Sequence, residues 1–137
     1  MIRAVLDTNV VVSAHLNPEG NEAVILELAL AGRFRFYVSS ELLEEYEGVL
    51  RRERFGLDAR DIAQSVRLLR RHAERVPPRR KLHVTRDPRD NMILECALEA
   101  RADYVVTGNL RHFPARFQDI RVIAPRSFLT ILAAELG

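Results

Sequence analysis

Cysteine is nearly missing from this chain. Cys96 stands alone, which excludes an internal disulfide and any Cys-rich zinc site. A reducing cytoplasm is therefore the expected compartment. Lysine is as scarce: Lys81 is the single example among 21 basic residues. No apolar run approaches the roughly 20 residues that cross a bilayer, so no membrane role is expected. The start, Met-Ile-Arg-Ala-Val, lacks the basic start, apolar stretch and cleavage site of a signal peptide. Internal repeats, low-complexity tracts and linkers are absent too. No Ser-His-Asp or Cys-His pattern can be assembled. His15, His72, His83 and His112 are scattered, and Cys96 falls on an apolar helical stripe where a core thiol is the ordinary role.

What is present describes one compact α/β domain over residues 1–137. The chain is 47% hydrophobic and 29% charged, an ordinary globular balance with enough length for a core. Net charge is only +2 but unevenly spread. Between Arg67 and Arg89 basic residues crowd together against only Glu74 and Asp87. Such a block can bind phosphates, and it can equally be a solvated face in an arginine-rich sequence.

Short apolar runs alternate with helical patterns. Ile2–Leu6, Phe34–Val38, Tyr104–Thr107 and Ile120–Ala124 read as strands, with Leu82–Val84 a further short candidate. Helices are expected over Glu22–Ala31, stopped by Gly32, and over Glu41–Arg52, capped by Ser39 or Ser40. Two more are expected over Asp58–His72 and from Asp87-Pro88 to about Arg101. A last helix opens at Pro125 or Arg126. The strands are continuous apolar runs, the mark of a parallel sheet covered on both faces. In such folds ligands sit beyond the carboxyl ends of the strands. Asp7 ends the first strand, and Asn109 follows the Tyr104 strand after Gly108, so both are expected at one sheet edge.

Three acids invite attention there. Asp7, with Thr8 and Asn9, could simply cap a helix. Asp90 suits a helix N-terminus, but it shares a face with Ile93, Leu94 and Ala97, and a carboxylate on a core-facing stripe is costly without a positive partner. Asp87 has the simpler role of cap. In the helix 41–52, Glu45 and Glu47 lie on opposite borders of the apolar face, and periodicity does not choose between them. Carboxylates gathered at one edge repel one another. A hard cation such as Mg²⁺ or Mn²⁺, which prefers oxygen ligands, relieves that repulsion and can activate a water.

Three ordered motifs carry a resemblance: "VLDTNVVVSAHL", "VSSELLEEYEGVLRRERF" and "DPRDNMILECALEARADYVVTGNLRHF". Together they resemble PIN-domain proteins, in the branch of toxins from toxin–antitoxin pairs (VapC-type). The resemblance implies a three-layer α/β/α sandwich with a mainly parallel sheet and a metal-dependent ribonuclease activity. By position it implies Asp7, Glu45 and Asp90 as catalytic metal-binding acids, selecting Glu45 over Glu47. Thr8, Asn9 and Thr107 fall on supporting positions. Asn109 departs from the family, which commonly has Asp in "TGD"; Asp87 is near enough to compensate, whereas Asp103 belongs at the far end of its strand. Arg86 and Arg89 are candidates for holding RNA phosphates. The resemblance further implies an RNA substrate, a cognate antitoxin and a homodimer.

Rival classes fit less well. An aspartyl phosphatase wants a second Asp two residues after the first, where this chain has Asn9. A receiver domain wants a Lys at a late strand end, and Lys81 is the only lysine. A catalytically weak or inactive RNA- or partner-binding module is the strongest alternative, suggested by Asn109.

Overall fold

The computed structural model describes residues 1–136. Six strands form one sheet in the order β3-β2-β1-β4-β6-β5. They are β1 (Arg3–Leu6), β2 (Arg35–Val38), β3 (Glu74–Arg75), β4 (Tyr104–Val106), β5 (Arg116–Phe117) and β6 (Ile120–Ile123). All neighbours pair in parallel except β5 and β6, which form an antiparallel edge. Helices α1 (Thr8–Leu16), α2 (Asn21–Leu30), α3 (Ser40–Leu50), α4 (Ala59–His72), α5 (Pro88–Ala100) and α6 (Pro125–Leu136) complete a three-layer α/β/α sandwich.

The centre of the sheet explains its sequence. Ala4, Val5 and Leu6 of β1 are wholly buried, as are Val105 and Val106 of β4. Strands covered on both faces need apolar residues at every position rather than at alternate ones. Helix α5 packs across β1, β2 and β4, while α2 contacts α1, α4 and α6. The pattern in α4 is a single stripe, Ile62, Val66 and Leu69, which is the buried set.

Local signals set the helix ends. Ser39, not Ser40, caps α3 by accepting from the Leu42 amide at 3.0 Å. Asp58 caps α4 and Asp87 caps α5 with Pro88 at its first position. Gly32 takes φ +73°, and the Arg33 amide donates back to the Leu28 carbonyl, closing α2 in a Schellman turn. Arg101 performs the same service for α5 at φ +52°, a conformation that strains a residue with a side chain. Gly108 stays outside the left-handed region, so the turn after β4 does not depend on glycine's conformational freedom.

One expected strand is absent and two short ones are new. Leu82–Val84 forms no strand. Its segment lies along α5 and is hydrogen-bonded to side chains instead of to a neighbouring strand. The Leu82 amide donates to Glu95 Oε2 at 2.9 Å, the Thr85 amide to Asn91 Oδ1 at 2.8 Å and the Arg79 amide to Glu99 Oε1 at 3.1 Å. Asn91, Glu95 and Glu99 are spaced by four, so one helix face grips the strap three times. The edge strand β3 comes earlier, at Glu74–Arg75, before Pro77-Pro78 ends the pairing. β5 is two residues long, too short to leave a periodic signal.

The topology singles out one place. From β1 the chain proceeds to β2 and β3 on one side, then crosses to β4, β6 and β5 on the other. The order reverses between β1 and β4, and the crevice outside the carboxyl ends at such a point is where open α/β sheets bind ligands.

Candidate active site

Asp7 and Thr107 stand at that reversal. The Asp7 amide extends the ladder to the Val106 carbonyl at 2.9 Å, and the Thr107 amide donates to Ile123 at 3.0 Å. Both residues are thereby fixed at the carboxyl edge. Asp7 begins α1, yet its side chain makes no capping bond. Its Oδ2 instead accepts from the Thr107 hydroxyl at 2.6 Å and from Asn9 Nδ2 at 3.0 Å. Asn9 also accepts from the Gly108 amide at 3.1 Å, and the Asn109 amide donates to Thr107 Oγ1 at 2.9 Å. The two strand ends are stitched together through Asp7. Beneath them the Tyr46 hydroxyl, fully buried, donates to the Leu6 carbonyl.

Asp90 comes from the first turn of α5 and is 8% exposed. Glu45 comes from α3. Both line the same cleft as Asp7, together with Asp87, Asn109 and His112. Thr8 and Asn9 form part of its floor. Glu47, which periodicity alone could not set aside, pairs with Arg51 at the end of its own helix at 3.0 Å and with Arg70 of α4 at 3.9 Å. Asp103 is at the opposite end of the sheet, accepting from the Arg3 amide, and cannot stand in for the acid replaced by Asn109. Asp87 borders the cleft, but its oxygens are engaged by Arg89 at 3.0 and 3.3 Å. Arg89 also lines the cleft, whereas Arg86 is exposed on the preceding loop, outside the lining.

The electrostatics are those of crowded acids. Burial pushes the Asp7 carboxyl up, and the hydrogen bond from Thr107, with the Thr8 and Asn9 amides close by, partly offsets it. Burial, then the charges of Asp7 and Asp87, raise Asp90 to about 6. His112, whose Nδ1 is 3.7 Å from Asp90 Oδ2, pulls the other way. The Arg89 guanidinium holds Asp87 below the usual carboxylate range. Asp7 thus receives neutral donors only, and no arginine pairs directly with Asp7 or Asp90. Cys96 is wholly buried and its thiol is pushed up to about 12 by burial, the behaviour of a core residue.

The family model described as PIN domain matches residues 3–111. The chain belongs to the PIN-domain family. No curated protein matches it. PIN domains are generally nucleases and usually use divalent metals, and the matched span contains every acid of this cleft. Among the described residues, no three His, Cys, Asp or Glu side chains already converge closely enough to enclose a metal ion. The donor chemistry nevertheless fits a hard cation. The available groups are carboxylate and amide oxygens, without a thiol, and Asp7 and Asp90 keep raised pKa values despite the cationic groups nearby. In this PIN domain Asp7, Glu45 and Asp90 are the side chains that would hold it, with the Asn109 amide oxygen as a neutral fourth donor.

Among the cleft residues not singled out above are Arg52, Arg54 and Phe55, in the segment after α3 where a short helical turn runs over Glu53–Phe55 with Arg52 just before it. Glu45 and Val49 are spaced i, i+4 on one face of α3, but Arg52 lies beyond the helix end at Leu50, where that periodicity no longer applies.

Proposed function

We propose that this PIN domain is a Mg²⁺- or Mn²⁺-dependent endoribonuclease that hydrolyses RNA phosphodiester bonds. The observation that carries this reading is the pair of buried carboxylates, Asp7 and Asp90, brought with Glu45 to the crevice between β1 and β4 with no arginine or lysine ion-paired to either aspartate. A bound cation would polarise a phosphoryl oxygen and lower the pKa of a coordinated water. The chain's own residues do the rest. Thr107 and Asn9 hold the Asp7 carboxylate in one orientation through its Oδ2. Tyr46 anchors the strand end that carries Asp7. Arg89, already lining the cleft, binds a phosphate beside the scissile one. Water attacks phosphorus, the P–O3′ bond breaks and a proton passes to the departing oxygen. The products carry a 5′-phosphate and a 3′-hydroxyl.

The resemblance of the ordered motifs to VapC-type proteins supports a toxin role in the cytoplasm. A cognate antitoxin would then cover the cleft, and the protein would act as a homodimer. Asn109 favours a second reading, a binding module whose activity has lapsed. One experiment separates the two. Purified protein is incubated with labelled single-stranded RNA in Mn²⁺, Mg²⁺ or EDTA, beside Asp7→Asn and Asn109→Asp. Cleavage that requires metal and Asp7 supports the nuclease. Cleavage by Asn109→Asp alone supports the lapsed site, and an Asp7→Asn variant as active as wild type refutes the assignment.

A further inference from the structure

The cleft of about 390 Å³ is larger than a cluster of carboxylates needs, and its outer half is built from different chemistry. Two helices lead away from the acids. On α1 the cleft-lining residues run Thr8, Val12, Leu16, with Asn9 and Ser13 beside them, and on α3 they run Glu45, Val49, with Arg52 just past the helix end. Each series starts polar at the sheet edge and turns apolar one helical turn later. After α3 ends at Leu50 the chain brings the Arg54–Phe55 pair to the same cleft, with the Arg54 guanidinium carbon 4.8 Å from the Phe55 ring centroid. Leu16 remains 45% exposed, so the apolar wall is open to an incoming group rather than closed by the protein.

We propose that this outer half is a nucleobase subsite, in which an unpaired base of single-stranded RNA stacks on the Arg54–Phe55 pair while Arg52 holds the adjoining phosphate. The inference rests on the ribonuclease reading of the acidic end and names the substrate class that end serves. Planar apolar surface flanked by guanidinium groups, in the same cleft as a phosphate-processing site, matches the alternation of base and phosphate along a single strand. Unstacked bases settle on aromatic rings and on guanidinium planes. A base inside a duplex has no free face to offer, so the subsite selects unpaired RNA without reading its sequence by hydrogen bonds. Charge complementarity favours this occupant: Arg52 and Arg54 at the outer end attract a polyanion that Glu45 and the aspartates alone would repel.

The test is a binding measurement, independent of turnover. Fluorescence anisotropy is read for a labelled twelve-nucleotide oligoadenylate RNA, and for a duplex of equal length, in Ca²⁺ with RNA integrity checked on gels. Wild type is compared with Phe55→Leu, Phe55→Tyr and Arg54→Lys. Phe55→Leu keeps the apolar packing of a half-buried residue and loses the ring, while Arg54→Lys keeps the charge and loses the plane. Loss of one stacked base predicts weaker single-strand binding by roughly 5- to 100-fold in Phe55→Leu and Arg54→Lys. Phe55→Tyr stays near wild type, and duplex binding hardly changes. Single-strand binding by Phe55→Leu and Arg54→Lys within about twofold of wild type overturns the subsite, as does an equal loss for duplex and single strand. Wild type that fails to bind the oligoadenylate also overturns it and returns the apolar walls to a polypeptide occupant. Phe55-dependent binding without any metal-dependent cleavage upholds the subsite and refutes the nuclease. Cleavage indifferent to Phe55 does the reverse.

Discussion

Replacing Asp90 by Asn should make the metal-free protein more stable at neutral pH. The carboxyl is 8% exposed, and burial with the neighbouring Asp7 and Asp87 charges raises it to about 6 from an ordinary 3.8. An acid whose folded value is raised binds its proton more tightly in the folded state. Its penalty is therefore absent below the unfolded value, grows as pH rises towards 6 and is fully present above it. A shift of this size corresponds to about 3 kcal/mol. The cleft mouth admits water, and screening reduces that to about 1–2 kcal/mol. Urea unfolding of wild type and Asp90→Asn in EDTA, at pH 7.5 and at pH 4, measures the difference directly. The variant should be the more stable by about 1–2 kcal/mol at pH 7.5, with little gap at pH 4. Adding Mn²⁺ at pH 7.5 should stabilise wild type, by about 2.7 kcal/mol at a hundredfold excess over Kd, and the variant much less. A gap of the same size at both pH values would show that packing, not charge, separates the two proteins and would refute the electrostatic argument. A variant less stable than wild type in EDTA would refute it equally.

Other consequences are open to simple assays. Glu45→Gln should lower metal-dependent cleavage by about 100-fold or more. Glu47→Gln, which loosens only its exposed pairs with Arg51 and Arg70, should change stability by less than ~1 kcal/mol and leave the rate near wild type. Glu95→Ala removes the acceptor of the Leu82 amide. It should cost about 1–2 kcal/mol and speed tryptic cleavage at Arg79, Arg80 and Lys81, visible by mass spectrometry. Arg101→Gly relieves the left-handed strain after α5, offset partly by a freer unfolded chain. A melting temperature raised by about 2–4 °C would agree, and a lowered one would show that the Arg101 side chain contributes a contact.

Much of this architecture was legible because the central strands announce themselves. Ala4-Val5-Leu6 and Tyr104-Val105-Val106 are apolar at successive positions, which only a sheet covered on both sides requires. Asp7 and Asp90 were legible because each interrupts a stripe that ought to be apolar. Periodicity could not separate Glu45 from Glu47, since both sit on a border of the same face. The difference arises from partners remote in sequence: Arg70 of α4 draws Glu47 one way, and the cleft shared with Asp7 and Asp90 takes Glu45 the other. The segment Leu82–Val84 misled for a related reason. Its composition suits a strand, but its amides find side-chain acceptors on α5, which no local pattern encodes. Phe55 and Arg54 were silent because they follow the end of α3, where the helical register no longer applies.

The grip of α5 on the strap has an evolutionary side. Asn91, Glu95 and Glu99 hold main-chain amides, so they ask almost nothing of the side chains at Arg79, Leu82 and Thr85 beyond excluding proline. The same helix carries Asp90 in its first turn. The residues that project from the strap, among them Arg80, Lys81 and His83, can therefore be exchanged freely while the backbone beneath them keeps its course. Descendants of this chain could change charge along the strap beside α5 without moving the carboxylate that the helix carries. Chemistry and recognition are anchored to one helix yet are free to diverge at different rates.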